Sequence, residues 1–381
     1  MTLFKILFWA SLATQIYVFL GFIVILWLFS KFKQRPVLKS DVTPSISVII
    51  CAFNEEKHIR QKIANCQEFD YPKDRMEIIA ISDGSGDGTY RILEEMQSSL
   101  INVYRMPTQQ GKTACQNFAA TVANNEVLFF TDATVMHPPH ALRLLVRSLN
   151  DPSVGCVTGK PVFKKDSGPV SKGLSKRDSY EFYLRDKLAA VATLFGAQDC
   201  MYVIPRALYT PVRPDLDGGF VGPLQLLERG YRTVYEPEAL AFVNRRAPNL
   251  TDEFSRRSRI ALRGMRGLLH MRHLMNPFRY GFVAVALIST RLLRWLTPLF
   301  LIVTFVSNLI LAASSFYLFT LLLQVAFYAT ALFAFLIVQN GSRLVFPFYV
   351  PLYFCVLACS ALIGLKRLLA GESGQVWQTR R

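Results

Sequence analysis

Acidic residues are scarce in this chain. Against 43 lysines and arginines its 381 residues include 27 aspartates and glutamates, a formal net charge of +16. Such a balance suits nucleic acid or a lipid surface, but no nucleic-acid-binding motif accompanies it. The basic residues gather beside long apolar segments, where anionic lipid head groups account for them. The seven cysteines form no Cys-x-x-Cys pair and nothing resembles a zinc site. Cys51, Cys66, Cys115, Cys156 and Cys200 read as reduced, structural thiols. The glycine-rich stretch Asp83-Gly84-Ser85-Gly86-Asp87-Gly88-Thr89 is followed by no Gly-Lys-Ser/Thr and has no GxGxxG spacing, which excludes a P-loop and a dinucleotide fingerprint. Internal repeats and low-complexity tracts are also missing.

Apolar residues are plentiful, at 51% of the chain, and unevenly spread. Leu7 to Ser30 is almost uncharged and long enough to span ~30 Å of hydrocarbon. The small residues around Ala10 to Ala13 would suit a signal-peptide cleavage site, but the apolar run continues well past them. Leu296 to Ala313, Phe316 to Val338 and Val345 to Leu365 are similar and show no polar face. Lys31, Lys33 and Arg35 follow the first span, so the middle of the chain is expected in the cytoplasm. Three later spans would then put the C-terminus outside, whereas Lys366, Arg367, Arg380 and Arg381 favour the inside. A re-entrant segment, with Val345 to Leu365 and its Pro347 and Pro351 as the candidate, would reconcile the two. An ion pathway is disfavoured because the spans contain no acidic residue.

Between the spans, strands and helices alternate. Ser47 to Ala52, Met76 to Ser82 and Val127 to Thr131 are short apolar runs of the kind buried on both faces of a parallel sheet. Ile101 to Arg105 adds a fourth strand. Helices are expected over Glu55 to Gln67, Tyr90 to about Ser98, Thr113 to Ala123, Pro139 to Asn150 and Phe220 to Glu228, the last closed by Gly230. This order predicts an α/β, doubly wound sheet. Lys164 to Arg177 reads as a loop. Thr251 to His270 with Phe278 to Trp295 reads as a basic amphipathic belt on the membrane surface. The division is therefore residues 1–31, a transmembrane helix; 32–250, a cytoplasmic domain; 251–295, interfacial helices; and 296–381, a transmembrane region with about three spans and a short tail.

In open parallel sheets ligands bind outside the carboxyl ends of the strands. Glu55, Asp83 and Asp132 follow three such ends. Asp83 suits a hydrogen bond to a base or ribose, with glycines letting backbone approach a ligand. Lys112, behind Gly111 at a helix start, suits a diphosphate. Asp132 can hold Mg²⁺ or Mn²⁺ bridging that diphosphate. Taken singly, these are an acidic turn, a surface lysine and a helix cap; their order and spacing carry the argument.

With these residues stand Ser47 to Glu56, Asp70-Tyr71-Pro72, Ser82-Asp83-Gly84-Ser85, Gly111-Lys112, Thr131-Asp132-Ala133, Glu228-Arg229-Gly230-Tyr231-Arg232 with Tyr235-Glu236-Pro237, Glu253 to Ile260, Leu293 to Pro298, and Val376-Trp377. In this the chain resembles the family 2 glycosyltransferases, in the membrane-embedded branch that contains polysaccharide synthases. The resemblance implies a GT-A fold and inverting transfer from a nucleotide sugar, a UDP-sugar first among the donors, to a glycan or lipid-linked acceptor in surface or exopolysaccharide synthesis. Other export subunits are implied partners and the inner membrane is the implied location. Glu55 and Asp83 would contact the nucleoside, Lys112 the diphosphate and Asp132 the metal. Arg257 and Arg259, in the stretch matching the family's QxxRW element, would contact phosphate.

Three elements depart from that pattern. The DxD element is Asp132-Ala133-Thr134, so phosphates or a distant histidine must complete a metal shell; His137 is nearby but reads first as a loop residue. Ile260 replaces the QxxRW tryptophan. The acidic pair expected to supply the base falls on Gly218-Gly219. An inverting transfer needs a carboxylate there. Asp217, able to swing on the glycines, is the first candidate and Asp199 the second, with Asp215 further upstream. The same glycines leave open a catalytically impaired nucleotide-sugar-binding subunit of a synthase complex.

Overall fold

The structure is a computed structural model and describes residues 1–163, 171–243, 250–339 and 347–372, with side chains from residue 179 onward in the second block. Arg343, Val376-Trp377, Arg380, Arg381 and the first half of the expected loop at 164–177 lie outside the described residues. In chain order the principal elements are α1 (Thr2–Phe32), β1 (Ile46–Ala52), α2 (Ile59–Gln67), β2 (Met76–Asp83), α3 (Thr89–Glu95), β3 (Ile101–Met106) and α4 (Lys112–Val122). Then come β4 (Val127–Asp132), β5 (Val135–Met136), α5 (Ala141–Val146), β6 (Val154–Phe163), α6 (Ser171–Val191), β7 (Met201–Pro205), α7 (Gly218–Glu228) and β8 (Arg232–Val243). The remainder is helical: α8 (Leu250–His270), α9 (Phe282–Leu311), α10 (Ser315–Gln339) and α11 (Tyr349–Leu369).

The chain divides into two compact units. The first is built on Lys33–Lys164 and Arg185–Arg245, the second on Met1–Phe32, Lys165–Leu184 and Arg246–Glu372. The first unit is an eight-stranded mixed sheet in the order β3-β2-β1-β4-β7-β6-β8-β5. Strands β1, β2, β3 and β4 are parallel, as expected, while β7 runs antiparallel to both β4 and β6. Alternation sorts the apolar residues onto two faces. Ile46, Val48, Ile50, Ile78, Ala80 and Phe129 join one core with α2 and α5. Ile49, Cys51, Ile79, Ile81, Leu128 and Phe130 join a second core with α4. Both faces are therefore covered, which is why the strands read as continuous apolar runs. The five cysteines of this unit are buried and in no disulfide.

In the second unit four helices, α1, α9, α10 and α11, are long and apolar enough to cross a membrane. Three expectations change here. The segment 171–177 is the start of α6, a 21-residue helix, not a loop. The belt expected over Phe278 to Trp295 is interrupted by Gly281 at φ +54°; from Phe282 one helical run passes a π turn at Ile288–Leu292 and Pro298 to reach Leu311. The boundary at 295/296 thus falls inside a helix. Finally, α11 continues from Tyr349 to Leu369 with Pro351 in its first turn, so this helix contains no re-entrant hairpin. A proline is tolerated there because the first N–H groups of a helix have no intrahelical partner.

Candidate active site

Register brings the expected residues together. Ala52 pairs with Ser82, and Cys51 with Asp132, so the chain leaves β1, β2 and β4 at one level and on one side. Antiparallel β7 enters at the same level, with Met201 opposite Thr131. Asp199 and Cys200 therefore arrive beside the end of β4.

Asp132 and Lys112 form the centre. Lys112 Nζ donates to Asp132 Oδ1 at 2.5 Å and to the backbone carbonyl of Asp199 at 3.1 Å. Burial pushes the Lys112 ammonium down, but the carboxylates of Asp132 and then Asp199 more than offset this and hold it charged. Lys112 is the first residue of α4 behind Gly111, whose φ is +93°. The turn before it is fixed by Asp83, which accepts from the N–H groups of Gln110 (2.7 Å) and Gly111 (2.9 Å). Asp83 is fully buried. It shapes the turn that delivers Lys112, and in this structure no part of it faces an open cleft. Gly84 completes the turn: at φ +64°, an added Cβ would lie 2.5 Å from the Gln109 nitrogen.

Glu55 lies at the rim, hydrogen-bonded to His58 Nδ1 at 3.0 Å, while its own N–H donates to Thr89 Oγ1. Burial raises its carboxyl above the usual range, His58 partly offsets this, and the negative charges of Asp132 and Asp87 raise it again. The glycine-rich turn is knitted to the end of β1. Asn54 Oδ1 accepts from the Gly86 N–H, Glu56 Oε2 from that of Gly88, and Asp87 Oδ1 from that of Thr89. Asn54 is the one non-glycine residue with positive φ among the described residues, at 55°.

Beneath Asp132 is a layer centred on Lys62, a residue that sequence reasoning did not single out. Lys62 is fully buried, and its Nζ donates to Thr131 Oγ1 (3.0 Å) and the Val135 carbonyl (2.6 Å). His137 Nε2 lies 2.7 Å from the same Thr131 hydroxyl, and Asn65 brackets the His137 backbone. Burial lowers both ionisable groups, with Lys62 adding to the effect on His137, which stays neutral. His137 is therefore a buried support and does not complete a metal shell. The readable signal was Lys62 itself, on the apolar stripe Ile59, Ile63, Cys66 of α2.

The base region differs from expectation in one respect. Gly218 and Gly219 are the first residues of α7, and Asp217 is its N-cap, so the glycines are helix and not a hinge for Asp217. They allow close approach. A Cβ on Gly218 would lie 2.8 Å from Gln116 Oε1 of α4, and one on Gly219 would lie 1.9 Å from Asp199 Oδ1. Asp215 is held by Arg213 through both carboxylate oxygens.

Arg257 and Arg259 belong to the helical unit, on α8. Arg257 donates to Glu253 Oε1 (2.8 Å) and to the Tyr353 hydroxyl (3.1 Å). Arg259 stands among Arg263, Arg256 and Arg367, and burial together with these like charges pushes its guanidinium below the usual value. A cavity of about 460 Å³ opens in this unit, lined by Arg257, Arg291, Arg294, Trp295, Phe354 and Leu357 among others. Arg294 is paired there with Glu181 at 2.7 Å.

A divalent metal needs a donor set. Among the described residues no three His, Cys, Asp or Glu side chains cluster to hold one. Mg²⁺ is commonly held by one or two carboxylates plus substrate phosphates. The partly exposed Asp132, beside a lysine suited to the same phosphates, fits that shared mode and not an all-protein cage.

Comparison with known proteins places this geometry. The glycosyl transferase family 2 domain matches residues 47–209. A probable glycosyltransferase, YdaM, of Bacillus subtilis (strain 168) is 35% identical over 123 residues, covering 31% of this chain and 29% of that protein. A poly-beta-1,6-N-acetyl-D-glucosamine synthase of Staphylococcus aureus (strain COL) is 24% identical over 223 residues, covering 55% and 52%. The chain thus spans about half or less of the length of these relatives. The structure of the mannosyltransferase PcManGT from Pyrobaculum calidifontis, in complex with GDP-Man and Mn²⁺, superposes with a TM-score of 0.72 at 19% identity, covering 96% of this chain and 99% of that one. Carboxylates at parallel strand ends, a lysine-led helix beside them and the matched domain agree, and residues 47–209 form a family 2 glycosyltransferase domain on a GT-A fold.

Proposed function

We propose that the protein is an integral membrane glycosyltransferase that moves a sugar from a nucleotide-sugar donor to a glycan or lipid-linked acceptor, with inversion, in the synthesis of a surface polysaccharide. The observation that carries this reading is the Lys112–Asp132 pair at the carboxyl ends of the parallel strands. Lys112 would bind the diphosphate, and Asp83 would hold the turn that positions it. Asp132 with the phosphate oxygens would hold Mg²⁺ or Mn²⁺, which when bound neutralises charge on the departing nucleoside diphosphate. Glu55 borders the nucleoside end. A carboxylate near the start of α7 takes the proton of the acceptor hydroxyl as that oxygen attacks the anomeric carbon. The basic residues after α1 support a cytoplasmic catalytic domain in a cell membrane.

The helical unit suits an acceptor with an anionic head and an apolar body. The arginines of its cavity match a phosphate fork-to-fork, and Phe354 and Leu357 supply an apolar wall. Arg257 is better read as facing that acceptor than the donor.

The reading is tested with membranes containing the chain, supplied with labelled UDP-, GDP- and dTDP-sugars and Mg²⁺ or Mn²⁺. Incorporation that disappears in Asp132→Ala supports it, and product size separates a polymer from a single addition. Donor binding without incorporation from any donor overturns it in favour of a non-catalytic synthase subunit.

A further inference from the structure

Where the resemblance expects an acidic pair, the chain has Gly218-Gly219. The missing side chain leaves no empty space, because the position a Cβ would take on Gly219 lies 1.9 Å from Asp199 Oδ1, 3.0 Å from Asp199 Cγ and 3.6 Å from Asp217 Oδ1. The Asp199 carboxylate thus occupies the volume that a side chain at 219 would fill. A side chain at 219 would require the Asp199 carboxylate to move from its present position.

Two contacts fix Asp199 in that role. Its carbonyl accepts from Lys112 Nζ, which anchors the main chain at the diphosphate end of the site. The Ala197 N–H donates to the Gly219 carbonyl at 2.8 Å, binding the turn before β7 to the first turn of α7. The backbone carbonyl of Asp199 is therefore turned to Lys112 while its carboxylate is directed at the start of α7. Thr113 Oγ1 donates to the Leu216 carbonyl, holding the approach to α7 against α4.

We infer that Asp199 is the catalytic base, supplying from the turn before β7 the carboxylate that the resemblance expects from the start of α7. The inference rests on the transferase reading above. In the step, the acceptor oxygen forms a bond to the anomeric carbon and its proton passes to the Asp199 carboxylate. The bond from that carbon to the diphosphate oxygen breaks, and the nucleoside diphosphate leaves with the electron pair. Asp217, 3.6 Å from the same point, borders the acceptor without taking the proton.

The test compares full-length wild type, Asp199→Asn, Asp199→Gly, Asp217→Asn and the exchange Asp199→Gly/Gly219→Asp. Donor binding, kcat and KM are read in each. Asn keeps the carbonyl bonded to Lys112, so Asp199→Asn is expected to lower kcat by about 10²–10⁴-fold with donor affinity little changed. Added formate should partly restore Asp199→Gly by entering the vacated volume, and the exchange variant should exceed Asp199→Gly by at least tenfold. Wild-type transfer that persists undiminished in Asp199→Asn, or is lost only in Asp217→Asn, overturns the assignment while leaving the transferase reading intact. Wild-type membranes that bind donor and transfer nothing overturn that reading, and the assignment with it.

Discussion

Lys62 shows how a single side chain can matter without touching a ligand. It lies under Asp132, bonded to Thr131 and Val135, in a place where water cannot replace either bond. Truncation leaves a cavity and takes the Nζ donor from the buried Val135 carbonyl and Thr131 hydroxyl, the latter keeping only His137, so Lys62→Ala should destabilise the domain by about 2–4 kcal/mol. Thermal unfolding checks this, and Lys62→Met, which refills the volume, should lose less. Lys112 behaves differently, being 18% exposed on its side chain and bonded at the site's surface. Lys112→Ala should change the melting temperature little and raise the donor Kd about tenfold or more, the value of a hydrogen bond to a charged group, as titration calorimetry would show. At this scale the sequence was partly legible. Asp132 and Lys112 were readable because strand ends and helix starts carry local signals. The inward face of Asp83 was not, since its partners Gln110 and Gly111 lie on a later turn. Nor was the pairing of Asp199 with Gly219, which depends on the approach of two distant segments.

At the scale of elements, turns and close helix contacts set the tolerances. Gly84→Ala would force backbone against the Gln109 nitrogen and displace the turn that delivers Lys112. Donor affinity should fall with that substitution while the helical unit unfolds as before, which separate melting transitions would reveal. In the helical unit, Gly364 of α11 would place a Cβ 2.9 Å from that of Ala261 and 3.1 Å from the Leu262 nitrogen of α8. Gly364→Leu should therefore separate α8 from α11 and lower thermal stability in detergent. Helix α8 also holds a pH-sensitive clamp. Burial pushes the Glu253 carboxyl up, and Arg257 and Arg256 more than offset this, leaving it at about 2. Its ordinary value is 4.5, so the clamp contributes fully above that pH and is lost as pH falls from about 4.5 through about 2. Glu253→Gln should flatten the acid limb of a stability–pH curve over that interval. Expected helices α4 and α7 were found within two residues of their bounds, while α2 starts four residues later than expected. The start of α6 was missed because its polar, basic composition carries no apolar stripe.

Across the whole molecule, the sheet was legible as far as β4, where apolar runs follow one another in parallel. The antiparallel insertion of β7 between β4 and β6 was not, because pairing partners far apart in sequence leave no periodic trace. The four membrane-length helices among the described residues were legible, since length and hydropathy alone define them. One feature of the helical unit has an optical consequence. The chain has 4 tryptophans. Trp9 and Trp27 are exposed on α1, whereas Trp295 lines the arginine-bearing cavity with its ring against Gly264. A protein in which the other three are replaced by phenylalanine would carry a single fluorophore in the wall of that chamber. Its emission would register the entry of an amphiphile without a label on the ligand and without turnover, so occupancy could be timed separately from chemistry.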